Sequence, residues 1–131
     1  MGTDIHAFAE RETERGFEVI KGLRPFDDRN YGVFEFLADA GSCTNCGPIS
    51  RPRGLPADAS CRVREEYLRW GGDAHTPSWL TVDELMGFDY DTPFDCDDLD
   101  TYRDFLGEKF FDDLAALKAA GATRVVFWFD S

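Results

Sequence analysis

Polar and apolar positions alternate at the start of the chain, through Gly2-Thr3-Asp4-Ile5-His6-Ala7-Phe8-Ala9, as in a strand covered on one face. After the charged stretch Glu10 to Gly16, alternation resumes in Phe17-Glu18-Val19-Ile20, which predicts a hairpin with its turn near Glu14-Arg15-Gly16. Near the other end, Arg124-Val125-Val126-Phe127-Trp128-Phe129 is an almost unbroken β-branched and aromatic run, the pattern of a central strand buried on both faces. Helical spacing marks Tyr31 to Ala40, with Asn30 as its cap, and Val63, Tyr67, Leu68 and Trp70, capped by Ser60 and ended by Gly71-Gly72. Thr81-Val82-Asp83-Glu84 reads as a capping box for a helix from Val82 to Gly87. Thr101 caps a longer helix whose stripe is Tyr102, Phe105, Leu106, Phe110, Leu114 and Leu117, with Gly107 inside it and Gly121 at its end. The expected architecture is a single α+β domain over residues 1–131: a small mixed or antiparallel sheet with strands near 3–10, 17–20 and 123–129, and helices packed mainly on one face. Asp73 to Leu80 reads as a loop running into a strand-like or turn segment, and Gly41 to Asp58 as a long irregular loop.

With 131 residues the chain can bury a core without disulfides. Its formal net charge of -12 disfavours non-specific binding to nucleic acid or anionic membranes, while leaving room for a compact anion in a local basic pocket. No apolar run approaches the roughly 18 to 20 residues of a membrane span, and the first residues lack signal-peptide features, so a cytoplasmic location is expected. Homo-oligomer formation is left open.

Asp4 and His6 share one face of the first strand, about 7 Å apart. Asp73-Ala74-His75 repeats the Asp-x-His spacing with the second of the two histidines. These units are read as halves of one site. The long loop carries Arg51-Pro52-Arg53-Gly54-Leu55-Pro56, two arginines on a backbone stiffened by prolines. From Arg51 to Arg69 five arginines face three acids, a basic island in an acidic chain. Asp83 to Asp113 is the opposite, with twelve acids against Arg103 and Lys109. There Asp89, Asp91, Asp95, Asp97 and Asp100 fall at calcium-loop positions, but Phe94 replaces the obligatory glycine and Pro93 precedes it, so a solvated acidic loop is expected. Cys43 and Cys46 have a zinc-knuckle gap, yet Cys61 and Cys96 stand alone, and free thiols are the preferred reading.

Met-Gly-x-Asp-Ile-His at the start, Pro-Arg-Gly-Leu-Pro in the middle, Asp-Ala-His-x-x-Ser-Trp-Leu-Thr later and Val-Val-Phe-Trp-Phe-Asp at the end together resemble a family of short, largely uncharacterised bacteriophage and prophage proteins that open Met-Gly-Cys-Asp-Ile-His. Here Thr3 takes the place of the family's cysteine, which argues against an essential thiol. The resemblance implies a phage accessory protein of the host cytoplasm, a class that includes proteins capturing nucleotide signals of host defence. It brings no established reaction.

Three readings from different classes follow. In the first, the protein binds a small anionic, nucleotide-like ligand through Asp4, His6, Arg51, Arg53, Asp73, His75 and Trp79, with no cofactor. In the second, Asp4, His6, Asp73, His75 and Asp130 hold divalent metal for a hydrolase. In the third, the acidic face binds a basic host surface without chemistry. The first is preferred because a hydrolase calls for a denser set of ligands.

Overall fold

The computed structural model describes residues 2–38, 48–93 and 101–130. The cysteines Cys43, Cys46 and Cys96, with the zinc reading that rests on them, and Asp95 to Asp100 of the calcium-loop pattern lie outside these residues. Four strands, β1 (Asp4–Thr13), β2 (Gly16–Val19), β3 (Ala74–Thr81) and β4 (Arg124–Asp130), form one antiparallel sheet in the order β2-β1-β4-β3. Among the described residues the α-helices are α1 (Tyr31–Ala38), α2 (Cys61–Trp70), α3 (Val82–Gly87), α4 (Tyr102–Leu106) and α5 (Glu108–Ala119). The fold is α+β, as the residue pattern predicts.

Period-two alternation divides the sheet residues between two cores. Ile5, Ala7, Ala9, Leu80, Val125, Phe127 and Phe129 face α1, α3, α4 and α5. Phe8, Val126 and Trp128 face the other way, onto Val63, Tyr67 and Trp70 of α2. Covered on both sides, β4 is buried along almost its whole length, which explains its uninterrupted apolar run. Four helices on one face and one on the other complete three layers.

The caps legible in the chain are formed. Asn30 Oδ1 accepts from the Gly32 and Val33 amides, and Ser60 Oγ from Val63. Thr81 with Glu84, and Thr101 with Asp104, make reciprocal capping boxes. Two features differ from expectation. The helix after Thr101 breaks at Gly107, whose φ of 85° lies in the left-handed region, giving two helices rather than one bent helix. Residues 74–81 form a full edge strand where a loop and a short strand-like segment were expected. Its pattern was obscured by Pro77, by a register shift between His75 and Ser78 and by Thr76 at φ 52°. The outer edge of β3 is occupied by the long loop: Gly54 N–H donates to Pro77 O at 2.9 Å and Arg53 N–H to Ser78 Oγ at 2.9 Å. That contact covers the edge at Pro77 and Ser78, where it would otherwise offer unpaired backbone groups. No helix among the described residues is long and apolar enough to cross a membrane.

Candidate functional site

At one end of the sheet the first and last strands bring Asp4, His6 and Asp130 together, since Asp4 pairs with Asp130 and His6 with Trp128 across β1 and β4. The His6 Nε2–H donates to Asp130 Oδ2 at 2.6 Å, and the Asp4 amide donates to Asp130 Oδ1 at 3.4 Å. Trp70, at the end of α2, lies 4.2 Å from the His6 ring centre, and Trp128 lies 6.1 Å away. Asp4 is gripped by both prongs of Arg29 at 2.9 and 2.8 Å, which holds its carboxyl below the usual carboxylate range. The cluster clasps the outer ends of β1 and β4.

His75 is not part of this cluster. It pairs with Phe129, and cross-strand partners point to the same side, so its ring leaves on the face opposite His6 and sits 6.1 Å from the Phe129 ring. Asp73 is exposed in the short 3-10 turn before β3. The two Asp-x-His units therefore do not meet as halves of one site. Both Asp4 oxygens are taken by Arg29, and among the described residues no three His, Cys, Asp or Glu side chains group closely enough to hold a metal ion. The five-residue set of the hydrolase reading does not converge.

Arg53 and Trp79 are brought together on the opposite flank of β4, beside a cleft of about 760 Å³ lined by Phe17, Arg53, Leu55, Asp58, Trp79 and Arg124. This volume lies within the usual range for small-molecule sites. The Arg53 guanidinium lies over the Trp79 ring at 4.6 Å, and its Nη1 donates to the Trp79 carbonyl at 3.1 Å and to Glu84 Oε1 at 2.8 Å, while Nη2 reaches Glu84 Oε2. The fork and the hydrogen bonds from Thr81 pull the Glu84 carboxyl down to about 2. Arg51 is exposed, and its side chain has no partner among the described residues.

The Glu84 shift predicts a pH dependence. Because its folded-state pKa lies below the unfolded one, the stabilisation is complete above about pH 4.5 and disappears as pH falls from there toward 2. Wild type and Glu84→Gln, compared by urea denaturation, should differ at pH 6 and converge near pH 2. An unchanged gap across that range would remove the pair from the acid response.

The groups that sequence reasoning missed hold the inner end of this cleft. Glu10 and Arg124 are 0% and 4% exposed and meet through Nε and Oε1 at 2.6 Å. Glu10 Oε2 also accepts the Ser60 amide at the start of α2, and Arg124 donates to the Asp58 carboxylate at 2.9 Å and lies 3.4 Å from the Phe17 ring centre. Cross-strand pairing of β1 with β4 puts Glu10 opposite Arg124, a relation visible only once the register is known. Comparison of the chain with protein-family profiles, curated proteins and solved structures finds no match.

Proposed function

We propose that the protein binds a small anionic, nucleotide-like ligand in the cleft beside Trp79, with Arg53 as its anion contact. The observation that carries this reading is the state of the Arg53 fork. It is presented in bidentate geometry, braced from behind by the Trp79 ring and carbonyl, and occupied by a carboxylate of the protein itself. Glu84 then acts as a built-in competitor. The pair is partly exposed, with 26% and 38% of the two side chains reaching solvent, and pairs of this kind contribute only about 0 to 1 kcal/mol. A phosphate, with more charge than a carboxylate, can take the fork at little cost. Glu84 is not orphaned by the exchange, because its Oε1 keeps the Thr81 amide at 3.0 Å. Trp79, Leu55 and Pro56 supply apolar surface for the rest of the ligand. The resemblance to phage accessory proteins favours a nucleotide signal and a sequestering role.

Glu84→Gln preserves the capping box and removes the competing charge, so it should tighten nucleotide binding several-fold. Trp79→Ala should weaken it about ten-fold or more, since base stacking on an aromatic side chain contributes about 1 to 3 kcal/mol, and Arg53→Ala by a similar factor. Cyclic and linear nucleotides screened by thermal shift supply the ligand, and titration calorimetry supplies the constants. Recovery of intact ligand after denaturation would support sequestration and a hydrolysed product an enzyme. Equal affinity in wild type and all three variants would reject this cleft.

A further inference from the structure

A second pocket lies on the same side of the sheet but away from Arg53. It occupies about 270 Å³ between the end of β2, the turn that follows and the first turn of α2, and Lys21, Arg24 and Arg62 line it together with Phe8 and Gly22. Among the described residues no carboxylate lines it. In a chain with 26 acidic and 14 basic residues, a pocket with three cations and no acid departs sharply from the average surface. Two of these cations are uncommitted, and the third is only loosely paired. Among the described residues Lys21 and Arg24 form no ion pair, and Arg24 instead lies over the Phe8 ring at 5.5 Å. Arg62 approaches Glu66 only at 3.9 Å, while that carboxylate is already bonded to Arg69 at 3.1 Å. The contrast with Arg53, whose fork is filled by Glu84, is direct.

We infer that the pocket formed by Lys21, Arg24 and Arg62 is an anion site for a phosphomonoester carrying a compact organic group. Three cationic side chains lining one pocket match a dianionic phosphate better than a singly charged phosphodiester, because each added negative charge gains attraction from all three. The negative field of the remaining surface repels a polyanion such as nucleic acid, which must approach over a wide area, more than it repels one small ligand. Phe8, with Val19, Ile20 and Leu23 beside it, gives an apolar wall for the organic part. The volume sets an upper size, since it falls just below the roughly 300 Å³ at which drug-sized sites begin. The site is independent of the Arg53 cleft and stands or falls without it.

The test is a titration of the full chain, followed by amide NMR at 50 mM salt, with inorganic phosphate and with phenyl phosphate. Saturable shifts at Lys21, Gly22, Leu23 and Arg24 are expected, with phenyl phosphate the tighter of the two. Each of Lys21→Gln, Arg24→Gln and Arg62→Gln should weaken binding about ten-fold, as befits the loss of one charge-assisted contact. All three side chains are exposed, so the variants should keep the wild-type melting temperature. Raising salt to 500 mM should weaken binding further. Amide shifts at Arg53 and Trp79 report the cleft separately, so the constants read at Lys21 to Arg24 belong to this pocket alone. Shifts that do not saturate, or that persist unchanged in the triple glutamine variant, would overturn the assignment.

Discussion

Arg124→Ala will cost the fold about 3 to 5 kcal/mol, the usual penalty for removing one member of a buried ion pair. The loss has identifiable parts. Glu10 keeps its place at 0% exposure and its bond to the Ser60 amide, but without the guanidinium its charge has no counter-ion in the interior. The contact with the Phe17 ring and the bond to Asp58 are lost with it. At about 3 to 6 °C per kcal/mol for a domain of this size, the melting temperature should fall by roughly 10 to 30 °C. Guanidinium chloride titrations measure the loss directly. The double variant Glu10→Leu with Arg124→Met removes both charges together and should recover a substantial part of the stability. A loss below about 1 kcal/mol in Arg124→Ala would show that water reaches the pair and screens it.

Phe36→Ala should do comparable damage by a different route. Phe36 is fully buried in α1, and its ring centre lies 5.0 to 5.8 Å from those of Phe88, Tyr90, Tyr102 and Phe110. One side chain thus ties α1 to the segment after α3, to α4 and to α5. Truncation leaves a cavity that rings fixed by their own neighbours cannot close, and the expected cost is about 3 to 5 kcal/mol. Phe36→Leu retains much of the volume and should cost clearly less. If the alanine variant lost no more than the leucine variant, the cluster would be collapsing freely rather than holding its shape.

Much of this fold can be read from residue pattern alone, and the failures have physical causes. The buried strand β4 and the caps at Asn30, Ser60, Thr81 and Thr101 depend on local signals that the folded chain leaves intact. The edge strand β3 was obscured because an edge tolerates a proline and a register shift, and both break the alternation by which strands are recognised. The pairing of Asp4 and His6 with Asp130 follows from alternation once β1 and β4 are neighbours. His75 shows the limit of motif spacing: Asp-x-His looks the same in both places, and only the register decides to which side each ring is sent. Charge counting along the chain has a similar limit. It marks Arg53 as a free cation, although Glu84, 31 residues away, fills its fork. It overlooks Lys21 and Arg24 because Asp27 and Asp28 cancel them nearby, and because Arg62 joins them only through the packing of α2 against the hairpin.

The place of β4 between β1 and β3 also dictates an order of assembly. Among the described residues only the β1–β2 pair is joined by a tight turn, β3 and β4 being separated by three helices, and a lone hairpin is marginal in water. Every other rung of the sheet includes β4, and the clasp from His6 to Asp130 closes a separation of 124 residues. Neither helical layer has a complete sheet to pack on until that strand arrives, so the large entropy of closing so long a loop must be met before most of the apolar contacts can repay it. Folding is therefore expected to be slow for a chain of this length, with the two cores forming together once β4 is seated.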